Sequence, residues 1–170
     1  MILVSHVAPI FLNSRVRMNK IIVIGVGNPF RGDDGVGWAV IDALEGKVSK
    51  NVDLRKIRGE LGDFLEYFGN YPAVYLIDAC VGDSPVGSWQ RIDALRDSLG
   101  LERTQTSTHG FGISQAVSIA KALNQLPSKL IIYGINGDRY NLSNELSPPV
   151  EKAIEEVVPE LLKELNFRSV

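Results

Sequence analysis

Residues 20–44 read KIIVIGVGNPFRGDDGVGWAVIDAL. Residues 21–24 (IIVI) are short, β-branched and apolar on both sides, as in a strand buried on both faces. The run meets Gly25 and a Gly/Pro/Asp loop, then passes to Val36–Leu44. There Val36, Val40, Ile41 and Leu44 share one helical face. Strand, glycine-rich loop and helix in that order open an α/β chain.

Working outward, the same two periods alternate. Val52–Ile57 reads as a weaker strand, and Leu61, Phe64, Leu65 and Phe68 as a short amphipathic helix stopped by Gly69. Residues 73–77 (AVYLI) form another buried strand, and residues 88–92 a fourth, at an edge. Ile113, Ala116, Val117, Ala120 and Leu123 mark a third helix, and residues 130–133 (LIIY) the last strand. Ser147 is expected to cap a final helix that opens with Pro148 and Pro149 and buries Val150, Ile154, Val157, Leu161 and Leu165. Pro159 should kink or divide that helix. The order implies a mostly parallel sheet with helices on both faces, so functional residues should lie beyond the carboxyl ends of its strands.

At 170 residues the chain suits one domain with a core of its own. Residues 18–170 are read as that domain, and residues 1–17 as an extension ahead of a cleaner start at Met18. Arg15 and Arg17 follow the apolar run instead of preceding it, which argues against a secretory signal. A net charge of −2 offers no bulk attraction to nucleic acid or an anionic membrane. No apolar stretch approaches a membrane span. A single cysteine, Cys80, cannot form an internal disulfide, so a reducing cytoplasm is the expected compartment.

The glycine loop is not a phosphate loop. The dinucleotide fingerprint needs glycine where this chain has Phe30, and a P-loop needs Lys-Ser or Lys-Thr where Asp33 and Asp34 follow Gly32. Two carboxylates at a helix start would repel a phosphate. One aspartate could cap the helix, which leaves the other over. The surrounding glycines leave its carboxylate approachable.

Asp78 follows five apolar residues and reads either as a turn-forming strand end or as a functional acid at the carboxyl edge. His109, in the small-residue loop STHGFG before the third helix, reads either as a structural or exposed side chain or as a member of the same edge. Asp34, Asp78 and His109 could therefore converge from three loops. Two oxygens and one imidazole make a poor structural zinc site but a plausible open site for Ni²⁺, Mn²⁺, Fe²⁺ or catalytic Zn²⁺. Cys80 reads as a small buried hydrophobe, since neighbouring Asp78 and Asp83 disfavour a thiolate.

These residues resemble the hydrogenase maturation endopeptidases, which trim the C-terminus of the nickel–iron hydrogenase large-subunit precursor. The signature is IIVIGVGNPFRGDDGVG, followed by LIDAC, STHGFGISQAV and, more weakly, NLSNELSPPV. The resemblance runs from about Lys20 to Leu165. It implies a three-layer α/β/α sandwich, phosphorylase/hydrolase-like, around a mostly parallel five-stranded sheet with one antiparallel strand. It places the family's metal-binding residues on Asp34, Asp78 and His109, with Asp34 standing where many members carry Glu. It implies no permanently bound cofactor, the nickel being carried by the substrate, and an aspartic-type endopeptidase that acts as a monomer. Where many members have Gly-Gly-Thr-x-Gly, this chain has Arg58-Gly59-Glu60-Leu61-Gly62, a segment tied in the family to substrate recognition.

No Ser-His-Asp arrangement or H-E-x-x-H helix is evident. The expected chemistry is templating by substrate nickel, with the metal or a freed carboxylate activating water. Asn28 and amides of loop 25–33 are expected polar contacts to the cleaved tail. Two other classes use the same ligands: a nickel-checking chaperone that does not cut, and a hydrolase with its own divalent ion.

Overall fold

A computed structural model describes residues 20–97 and 110–166; the extension at residues 1–17 lies outside them. The elements run β1 (Ile21–Val26), α1 (Val36–Leu44), β2 (Val52–Ile57), α2 (Leu61–Phe68), β3 (Ala73–Cys80), β4 (Trp89–Asp93), α3 (Gly110–Ala122), β5 (Lys129–Asn136) and α4 (Pro148–Asn166). The five strands form one sheet in the order β2-β1-β3-β5-β4. All neighbours are parallel except β4, which lies antiparallel to β5 at an edge.

The strand period of two divides the apolar residues between two faces. Ile21, Val23, Tyr75, Ile77, Ile131 and Tyr133 point toward α1 and α4. Ile22, Ile24, Val74, Leu76, Leu130 and Ile132 point toward α2 and α3. Helices α1 and α4 pack together on the first face, and α2 and α3 on the second. The result is the three-layer α/β/α sandwich. Both faces of the central strands are covered, which explains why β1 and β3 carry no alternating polar face.

Three local expectations need correction. The third strand does not end at Ile77: β3 continues to Cys80, so Asp78 is a strand residue, held by pairing with Gly134 of β5. Helix α4 is not divided at Pro159. Val157, Val158 and Leu161 are buried on both sides of that residue, and their packing outweighs the backbone bond the proline cannot make. Ser147 starts α4 through its carbonyl, which accepts the N–H groups of Val150 and Glu151. Its hydroxyl donates instead to Asp33.

Candidate functional site

The site grows from the point where β1 and β3 part. Their pairing stops at Gly25 opposite Ile77, whereas β3 and β5 stay paired through Cys80 opposite Asn136. Past Ile77, β3 therefore extends beyond its neighbour. The chain leaving β1 goes to β2 on one side while β3 lies on the other. This is the switch point where an open α/β sheet forms a crevice at its carboxyl edge. Asp78 is the first β3 residue beyond β1's pairing, and it is fully buried. By strand alternation it shares the face of Val74 and Leu76.

Asp34 lies on a tight loop that leaves β1 and packs against β3. Gly27 has φ +135°, and a Cβ there would lie 1.8 Å from the Asp34 carbonyl oxygen, so only glycine fits. Arg31 N–H donates to Asn28 O (3.1 Å), and Asp34 N–H to Arg31 O (3.2 Å). The Asp34 side chain folds back on this loop, its Oδ2 accepting the Asn28 N–H at 3.0 Å. The Asn28 side chain meanwhile accepts from Phe30 N–H. Gly37 lets α1 approach the sheet closely: a Cβ there would lie 2.5 Å from both the Ile77 and Val26 carbonyl oxygens. The turn bearing Asp34 is thus seated against the end of β3.

The two aspartates are both buried but bond to different partners, and neither caps α1. They lie in a separate 3₁₀ turn, Gly32–Gly35, and α1 begins with no side-chain cap bond. Asp33 is wholly buried. Its Oδ1 accepts Ser147 N–H (2.7 Å). Its Oδ2 accepts the Ser147 hydroxyl (3.0 Å) and the N–H groups of Asp138 (3.0 Å) and Arg139 (3.1 Å). Burial alone would raise its pKa, but these bonds outweigh it and hold the carboxyl below its usual value.

Tyr140 ties its loop to the end of β3. Its hydroxyl donates to the Cys80 carbonyl at 2.8 Å. Burial first, then Cys80, Asp33, Asp34 and Asp78, push the phenol's pKa up. Burial, then Asp78, pushes the Cys80 thiol up to about 11, so it stays protonated at neutral pH and is no nucleophile. At the end of β3, a cleft of about 380 Å³ is lined by Cys80, Val81, Ser84, Gln90, Gly134 and Asn136; neither Asp34 nor Asp78 lines it.

His109 lies outside the described residues. It immediately precedes α3 in the sequence. That helix starts at the carboxyl edge, with a Cβ at Gly112 falling 3.3 Å from the carbonyl oxygen of Gly59, just past β2. Among the described residues, no group of three His, Cys, Asp or Glu side chains is placed to hold a metal ion, and no helix is long and apolar enough to cross a membrane. Sequence reasoning missed Ser147 and Tyr140 as partners of the acidic loop. The one signal for them was the unassigned second aspartate.

A family model described as HycI, hydrogenase maturation protease, matches residues 59–164, a span that includes Asp78 and begins after the glycine loop. The Hydrogenase 2 maturation protease of Escherichia coli K12 is 24% identical over 153 residues, covering 89% of this chain and 93% of its own length. Among solved structures, the hydrogenase maturating endopeptidase HybD from E. coli superposes with a TM-score of 0.76 at 23% identity, covering 88% of this chain and 94% of that one. The [NiFe] hydrogenase maturation protease HybD from Thermococcus kodakarensis gives 0.71 at 18% identity, covering 86% and 99%. At these identities the structural likeness is one of fold. The protein is a peptidase of α/β/α architecture. It belongs to the hydrogenase maturation protease family.

Proposed function

We propose that this protein removes the C-terminal extension of a nickel-loaded hydrogenase large-subunit precursor, guided by the nickel in that substrate. What supports the reading is the placement of the two acid-bearing segments: the turn that carries Asp34 packs against β3, and Asp78 is the first β3 residue beyond its pairing with β1. With His109, these acids ligate the nickel of the precursor. Two carboxylates and one imidazole suit that ion and leave positions open for water or a carbonyl oxygen. Held this way, the scissile bond is placed by the metal it follows. Water activated by the metal or by a released carboxylate attacks it.

The surroundings suit a protein substrate. The cleft at the end of β3 can take an extended segment of the tail, with Gln90 as an amide contact. Two apolar side chains, Phe30 and Leu142, are 58% and 92% exposed on segments joined by the Arg31–Ser143 bridge. The protein acts as a monomer in the cytoplasm and keeps no cofactor of its own.

Incubating the protein with nickel-loaded and nickel-free precursor tests the proposal. The loaded form should be shortened on a denaturing gel and the empty form left intact. Equal cutting of both would remove the metal guidance. Binding without shortening would turn the reading into a non-cleaving chaperone.

A further inference from the structure

Loop 137–147 touches both acid-bearing segments, and two side chains make the attachments. On the Asp34 side, Asp33 accepts its four hydrogen bonds from Asp138, Arg139 and Ser147. Backbone bonds run alongside: Asp33 N–H to Arg139 O (2.7 Å), Gly32 N–H to Ser143 O (2.7 Å) and Ser143 N–H to Phe30 O (3.1 Å). On the Asp78 side, the Cys80 carbonyl accepts both Gly137 N–H (3.1 Å) and the Tyr140 hydroxyl (2.8 Å). Asp33 and Asp34 are adjacent in one 3₁₀ turn, and Asp78 and Cys80 are two residues apart on one strand. Fixing the partners of Asp33 and Tyr140 therefore fixes the two outer acids relative to each other.

We infer that Asp33 and Tyr140 are positioning residues that set the span between Asp34 and Asp78 by clamping loop 137–147 onto both segments. Neither touches substrate. The inference rests on the reading that Asp34 and Asp78 act together. A buried carboxylate taking three N–H groups and a hydroxyl cannot be matched by an amide, whose NH₂ would face the same donors. The expense of a buried charge at this point is explained by what the turn carries next to it.

Asp33→Asn and Tyr140→Phe test the inference in the full-length protein, with Asp34→Asn as the control for the site. Partners that orient metal- or substrate-binding groups typically change activity about 10–100-fold. Each positioning variant should lower kcat for precursor trimming by about that range, with KM within about two-fold and a cooperative unfolding transition retained. Amide hydrogen exchange supplies a readout that needs no substrate. In Asp33→Asn the Asn28 N–H, which bonds Asp34 Oδ2, should exchange about ten-fold faster or more, while amides of β1 and β3 keep their protection. If Asp33→Asn fails to fold, Ser147→Ala removes one partner of the same carboxylate and takes its place. Wild-type kcat and wild-type Asn28 exchange, or a loss of activity no larger than the loss of folded protein, would overturn the clamp. Should Asp34→Asn itself leave trimming intact, the site reading fails, whatever the exchange data show.

Discussion

Asn28 N–H and Asp34 Oδ2 meet at 3.0 Å, so the glycine loop holds its own acid by the backbone. Asp34 Oδ1 makes no hydrogen bond among the described residues. The loop backbone thus anchors one carboxylate oxygen. Asp34→Asn can keep the anchoring acceptor but loses the charge. Trimming of the precursor should fall by about 100-fold or more, the scale of a lost acid–base or ligand group. Thermal unfolding should shift by only a few degrees. A variant with near-normal trimming would remove Asp34 from the site.

Metal removal gives an independent check. If the nickel arrives with the substrate, dialysing the protein against a chelator and then removing the chelator should leave trimming of nickel-loaded precursor within about two-fold of the untreated rate. A loss restored by adding a divalent ion to the protein would instead identify a hydrolase with its own metal.

Glu164, far along α4, makes acid stability predictable. Burial alone would raise its pKa. Arg91 (2.7 and 2.9 Å), Lys129 and Tyr133 (3.0 Å) outweigh it and hold the carboxyl down to about 2. A folded-state pKa below the unfolded one stabilises the protein above the unfolded value, and that contribution fades as pH falls. The window is from about pH 4.5 to about pH 2. After allowance for solvent screening at this partly open site, the contribution is about 1–2 kcal/mol. Urea titrations should show Glu164→Gln less stable at pH 7 and less sensitive to pH across that window.

Gly37 should tolerate no side chain. A methyl group there meets the Ile77 and Val26 carbonyls at 2.5 Å, backbone atoms that cannot rotate away. Gly37→Ala should lose about 2–3 kcal/mol in urea unfolding and also trimming activity, because the displaced helix carries the Asp34 turn with it. Unchanged stability would mean that α1 does not sit this close to the sheet.

The sheet and its layers were legible because hydrophobic period reports burial directly. Val36–Leu44, Val52–Ile57 and Leu61–Phe68 fall where the pattern puts them. Asp78 shows where the pattern fails: a polar residue reads as a strand end, yet pairing with β5 carries the strand on to Cys80. Pro159 shows the converse, a local breaker overruled by the packing of Val157 and Leu161. The acid pair shows a deeper limit. Neighbouring aspartates in a 3₁₀ turn point in different directions, so Asp33 bonds to loop 137–147 while Asp34 folds back on its own loop. Nothing local to Asp33 names Ser147, which lies 114 residues away.

Cys80 has a practical consequence. It is the chain's one thiol, and burial and a pKa pushed up to about 11 slow its reaction with thiol-directed reagents. A cysteine introduced at an exposed position such as Leu142 would react first. A fluorophore or spin label could then report on events at the crevice without first stripping the wild-type protein of its native sulfhydryl.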